Sequence, residues 1–286
     1  MAGRWSRPQM CPNLRRFDTL TGRGVRVAVI DSGVQPRHPH IRADRILPGV
    51  AILADGTILT GDDVTLDRLG HGTAVTAAIQ EKAPGAEILP IRVFHDALRT
   101  SARALAVAIG HGLDRGADII NLSLGTVNPA HRDLFAGLIA RATAQGALVV
   151  AAREAQGEPC WPGALDGVLG VGLDWDIPRE AWRVEAGIFY ASGHPRPIPG
   201  VPQRHNLYGI SFATAQASGF AARSCESLDD GASLLAAMLC PNPLPLAGEG
   251  QTCEASQGEG LSGSRPTGPH PGPLRVPVPL PQAGEG

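Results

Sequence analysis

Aromatic residues supply only 4% of this 286-residue chain, too little for an aromatic-rich recognition surface. It also has no surplus of one charge. Twenty-five Lys and Arg against 27 Asp and Glu leave a formal net charge of −2, which removes the electrostatic case for nucleic acid or an anionic membrane as partner. No segment approaches the roughly 18 consecutive apolar residues of a membrane span. The N-terminal stretch MAGRWSRPQMCPNLRRFDTL is polar and Arg-rich without an apolar h-region, so a secretory signal is not expected. Cysteines are few, odd in number and widely spaced, at 11, 160, 225, 240 and 253. Without a CxxC or a His/Cys grouping they read as free thiols in a reducing compartment, and the expected location is cytoplasmic. No G-x-G-x-x-G or Walker sequence appears, and Thr21–Gly24 (TGRG) precedes a strand instead of following one, which excludes a nucleotide-binding turn.

What is present is a dense apolar frame. Hydrophobic residues make up 43% of the chain. Short β-branched runs mark strands at Val25–Ile30, Ala86–Phe94, Ala117–Leu124, Ala147–Ala152 and Gly167–Leu173. Helical spacing of apolar positions predicts helices from near His71, over Ala102–Leu113, over Leu134–Ala144 and from near Ser211. Continuously apolar strands alternating with helices predict an α/β fold, a doubly wound and mostly parallel sheet with helices on both faces. In such sheets the working residues gather at the carboxyl ends of the strands. Asp31 sits at one such end and Ser123–Gly125 at another.

Three short motifs carry chemistry: VAVIDSGV around Asp31, GHGTAV around His71 and GISFATA around Ser211. Acyl transfer needs a nucleophilic hydroxyl, an imidazole to accept its proton and a carboxylate to orient that imidazole. Each motif alone has a bland explanation as a turn, a surface histidine or a helix cap; their joint occurrence in this order is the specific signal. Together, and with the His38-Pro39 pair, they resemble the subtilisin family over roughly residues 22 to 225. No G-x-S-x-G elbow is present, and the order Asp–His–Ser differs from that of chymotrypsin-like and α/β-hydrolase enzymes. The resemblance implies a serine endopeptidase with Asp31, His71 and Ser211 as triad, acting on peptide or protein substrates without a cofactor. It further implies that Ser123, Leu124 and Gly125, within INLSLG, line the cleft and pair with the bound peptide backbone.

The chain departs from the family pattern in several places. Ile210, Phe212 and Ala215 replace the Thr, Met and Pro of the family's serine motif. Family members carry an Asn after the strand equivalent to ALVVAA, as a second oxyanion donor; here Glu154 or Ala155 falls at that position. Three accounts stay open: the Gln156 amide reaches in, a protonated Glu154 buried beside the cleft donates, or turnover is slow. An active intracellular maturation peptidase and a silent peptide-binding relative are therefore both consistent with the sequence. Asp62 and Asp63, with Asp55 and Asp67 nearby, lack EF-hand spacing and read as a solvated acidic loop, so calcium is unsupported. His95, His111, His131, His194 and His205 are scattered and read as structural or surface residues.

The expected organisation is an N-terminal extension over 1–21, a catalytic domain over 22–240 and a tail over 241–286. In the tail 19 of 46 residues are Pro or Gly, and PNPLPLAGEG at 241–250 returns as PVPLPQAGEG at 277–286 with eight of ten positions identical. Such a composition predicts disorder.

Overall fold

A computed structural model describes residues 19–155, 157–228, 230–239 and 282–284. Its first elements are β1 (Arg26–Asp31), β2 (Val50–Ile52), β3 (Ile58–Leu59), α1 (His71–Lys82), β4 (Glu87–Arg92) and β5 (Arg99–Ser101). Then come α2 (Ala102–Asp114), β6 (Ile119–Leu122), α3 (Arg132–Ala144) and β7 (Leu148–Ala152). A small antiparallel hairpin of β8 (Glu154–Ala155) and β9 (Glu158–Pro159) follows, before β10 (Val168–Leu173), β11 (Trp182–Glu185) and β12 (Ile188–Ala191). The last elements are α4 (Ile210–Cys225), α5 (Gly231–Met238) and β13 (Gln282–Gly284).

Nine strands form one sheet in the order β11-β12-β10-β7-β6-β1-β4-β2-β3. All neighbours pair parallel except the two edges, β11 on β12 and β3 on β2. This is the doubly wound, mostly parallel architecture expected of the sequence. The chain leaves β1 through α1 to β4 on one side, then crosses by α2 to β6 on the other. The order therefore reverses at β1, which makes its carboxyl end the natural crevice of the sheet. Of the tail, only Gln282–Gly284 are described; they pair parallel with Arg99–Ser101. The expectation of disorder otherwise falls on residues outside the described set, as do most of the N-terminal extension and Cys240.

Side-chain alternation assigns each strand residue to one face. Val27 and Val29 pack with Val75 and Ile79 of α1 and with Phe212, Ala213 and Phe220 of α4. Ala28 and Ile30 pack on the opposite face with Leu105 and Ile109 of α2 and Phe135 and Ile139 of α3. Asp31 continues the odd series and so belongs to the α1/α4 face. In β6 and beyond, Ile119 lies on that same face while Ile120, Leu122 and Leu124 take the other. Asn121 and Ser123 are thereby directed at α4.

Helix α4 is buried along almost its whole length, from Ser211 to Ser224. Its small residues permit close packing on α1: a Cβ on Gly219 would lie 2.7 Å from Lys82 Cβ and 3.1 Å from the Ile79 carbonyl oxygen. Phe212 and Phe220 are fully buried, each worth about 2 kcal/mol by transfer from water. At the far end of α4, the Glu226 carboxylate accepts the Thr21, Gly22 and Arg23 backbone N–H groups at 2.6, 2.7 and 3.1 Å. The TGRG turn is thus an anion cradle filled by the protein's own carboxylate.

Candidate active site

The N-terminus of α1 is built by side chains from outside the helix. Gly70, just before it, adopts φ 80° and contributes no side-chain cap. Asp67 substitutes: Oδ1 accepts the Leu69 and Gly70 N–H groups and the Ser32 hydroxyl at 2.9, 2.8 and 2.9 Å. Its Oδ2 accepts the Thr73 N–H and hydroxyl at 2.8 and 2.6 Å. Ser32 Oγ in turn accepts the Gly72 N–H at 2.8 Å. Asp67, considered with the acidic loop in the sequence, is therefore committed to holding the first turn of α1. Asp55 accepts the N–H of Thr57 at 2.9 Å, and Asp62 and Asp63 are exposed. Among the described residues no group of three or more His, Cys, Asp or Glu side chains is placed to hold a metal ion.

This capping fixes where His71 points. Its Nδ1 lies 2.7 Å from Asp31 Oδ1, and that same oxygen accepts the Ser32 N–H at 2.7 Å. Both side chains are buried. Burial works against the imidazolium, but the charge and hydrogen bond of Asp31, helped by Asp67, outweigh it. His71 is held above the ordinary 6.5. Close approach is made possible by Gly72, where a Cβ would collide with the Gly33 carbonyl oxygen and sit 3.1 Å from Asp31 Oδ1.

Ser211 opens α4 on the same side of the sheet. It is 6% exposed, and the neighbouring Phe212 ring lies 5.7 Å from the His71 ring. Ser211 and Ser123 are reciprocally bonded: each hydroxyl donates to the other residue's carbonyl at 3.2 Å. Behind them, Asn121 Nδ2 donates to Ser123 Oγ at 3.1 Å and accepts the Ser218 hydroxyl on Oδ1 at 2.9 Å. Gln216 Nε2 donates to the Ser192 and His194 carbonyls at 2.8 and 3.0 Å. Asn121, Ser218, Gln216 and Asp67 were not singled out in the sequence as parts of the site. Strand alternation alone would have directed Asn121 to the face of α4.

The structure thus pairs Asp31 with His71 and Ser211 with Ser123 on one face of the sheet, with Leu124 turned to the opposite core. Gly125 lies against Cys160 Sγ and the Trp161 carbonyl, leaving no room for a Cβ. Beyond β7, Glu154 is exposed. It is thus not buried beside the cleft. Ala155 is buried with Ala152 and Cys160, and Ile210, the residue before Ser211, packs on this cluster. Of Glu154 and Ala155, Ala155 is the one packed toward Ile210 at the start of α4. Gln156 lies outside the described residues.

Residues 22–172 match the sequence profile of the subtilase family. The chain belongs to this family. Among subtilases, M-protease of Shouchella clausii (strain KSM-K16) is 28% identical over 223 residues, which cover 71% of this chain and 54% of that protein. Subtilisin Savinase of Lederbergia lenta is 28% identical over 214 residues, 71% of this chain and 73% of the relative. The match thus spans about half the length of the first of these subtilases. The fold is similar to that of the prenylagaramide maturation protease PagA, with 24% identity, a TM-score of 0.58 and coverage of 79% of this chain and 87% of that one. No helix among the described residues is long and apolar enough to cross a membrane.

Proposed function

We propose that this subtilase is a serine endopeptidase with Ser211 as nucleophile, His71 as proton carrier and Asp31 as orienting carboxylate. The observation that carries the proposal is the buried 2.7 Å bond from His71 Nδ1 to Asp31, made beside the N-terminus of the helix that begins with Ile210 and Ser211. With Nδ1 tied to the carboxylate, Nε2 is left to act as base. The substrate backbone lies along Ser123–Gly125. Ser211 Oγ leaves the Ser123 carbonyl, passes its proton to Nε2 and attacks the scissile carbonyl carbon.

Negative charge then collects on the carbonyl oxygen. First-turn N–H groups of a helix have no intrahelical acceptor, and the positive end of its dipole favours an anion there. The Ser211 N–H is so placed on α4. Collapse of the tetrahedral species breaks the C–N bond, the leaving amine takes the proton from His71, and an acyl-enzyme remains. Water, deprotonated by the same imidazole, releases the acid and restores Ser211. These steps need no cofactor.

The narrower form of the proposal is a cytoplasmic peptide-maturation role. Cys160 and Cys225 are free thiols, and burial pushes them up to about 12 and about 11, so they stay protonated and inert. Maturation is the activity named for PagA, whose fold this chain shares. A second reading, a peptide-binding relative with weak turnover, is favoured by Ala155, which has no amide to give a second oxyanion donor. A fluorophosphonate probe separates the two. Covalent labelling of Ser211 that disappears in His71→Ala is expected for the peptidase; well-folded protein that stays unlabelled overturns that reading.

A further inference from the structure

A cavity of about 1030 Å³ opens beside Gly70, between α1 and the Pro195–Tyr208 segment that leads into α4. None of Ser123–Gly125 lines it. Its polar wall carries two guanidinium groups, Arg68 and Arg196, and three imidazoles, His38, His40 and His205, against the single carboxylate of Asp67. That carboxylate is already engaged by five donors from Ser32 and the start of α1. Neither guanidinium has a carboxylate partner among the described residues. Arg196 Nη1 donates to the His40 carbonyl at 3.3 Å, and Arg68 is exposed.

The histidines add to this. His38 Nδ1 accepts the His40 N–H at 3.2 Å, so its neutral ring carries the proton on Nε2 and remains a donor. Burial holds the His40 imidazole below its ordinary value, and the charge of Arg196 and the neighbouring His38 imidazole push the same way, with Glu81 opposing. Glu81 itself is paired with Arg179 and with Lys82. Around His40 the local surplus is therefore positive. Leu207 and Ala77 supply apolar wall for the stem of an entering side chain.

We propose that this cavity accepts a carboxylate of the peptide substrate, carried by an acidic residue outside the portion that lies along Ser123–Gly125. The inference rests on the reading of the chain as one that binds peptides. It adds a specificity determinant to the site: Arg68 and Arg196 select acidic over isosteric neutral residues, with the histidine donors fixing the carboxylate.

The test uses the full chain carrying Ser211→Ala, so that binding is read without turnover. Fluorescein-labelled, C-terminally amidated decapeptide pools, degenerate except for Glu or Gln fixed at one central position, are titrated by fluorescence anisotropy. The Glu pool is expected to bind about tenfold tighter, the worth of one charge-assisted hydrogen bond. That preference shrinks with added salt and vanishes in Arg68→Gln/Arg196→Gln. Arg68→Gln alone, at an exposed position where folding is unaffected, lowers it partway. A Gln pool with a free C-terminus that gains the same advantage assigns the cavity to the terminal carboxylate instead of a side chain. Equal binding of the Glu, Gln and free-C-terminus pools, or a preference the double variant retains, overturns the proposal. Discrimination between pools by a parent chain that no fluorophosphonate labels would uphold the cavity while sinking the peptidase.

Discussion

The Asp31–His71 bond sets the acid limit at which a base can exist in this site. His71 is held above its ordinary 6.5, and in the proposed mechanism an imidazolium cannot take the Ser211 proton. The acid limb of kcat/KM is therefore expected to have its midpoint above about 6.5. Asp31→Asn should move that midpoint down and lower kcat by about 10⁴-fold, as read from a pH–rate profile of both forms. For stability the sign is opposite. The ion pair contributes fully below the unfolded histidine's value and its contribution is lost as pH rises through the raised one. Ala155 carries a second expectation at this scale. Ala155→Asn places an amide at the buried position next to Ile210 and should raise kcat by at least about tenfold, since one oxyanion donor is worth about 10²–10³. The same change inserts a polar group into the Ala152–Cys160 cluster and should lower the melting temperature. Active-site-titrated turnover and a thermal melt on one sample measure both effects.

At the scale of elements, the site depends on how closely α1 can approach the loop after β1. Gly72→Ala forces the helix away from the Gly33 carbonyl and lengthens the His71–Asp31 bond. The expected result is a loss of at least about 10²-fold in kcat/KM, from a displacement on the order of 1 Å, with folding retained by circular dichroism. The strands and helices that place these residues were legible in the sequence because parallel strands buried on both faces read as plain apolar runs. The central β1, β4, β6, β7 and β10 are of that kind. The short edge β3, the small hairpin after Arg153 and the strands Trp182–Glu185 and Ile188–Ala191 were not. Ile58 and Leu59 are exposed, and Arg183 and Tyr190 alternate with buried positions, so neither continuity nor length marks them. The pairing of Asp31 with His71 was legible from motif order. The five-donor role of Asp67 was not, because a cap acting from four residues upstream of its helix leaves no local spacing to recognise. The cavity beside α1 was equally invisible, since its lining comes from three separated segments.

Across the whole molecule, α4 joins the two ends of the described core. Its first turn carries Ser211, and just past its last turn Glu226 holds the Thr21–Arg23 backbone. Burial pushes the Glu226 carboxyl up, but those three N–H groups and the charge of Arg23 outweigh it and hold it below the ordinary 4.5. A depressed carboxyl contributes stability above its unfolded value and loses it as pH falls through the folded one. Glu226→Gln should therefore destabilise the protein by about 1 kcal/mol near neutrality. Urea denaturation of parent and variant should show the two converging as pH falls through that value.

The position of α4 also orders events in time. Asp31 and His71 leave the ribosome early, and about 140 residues are made between His71 and Ser211. Domains of this size fold largely as units during or after synthesis. A half-made chain has Asp31 and His71 without Ser211, and β6, β7 and β10 lack their cover on one face until α4 docks beside α1. On the proposed function, completing the site and closing the core are thus one event.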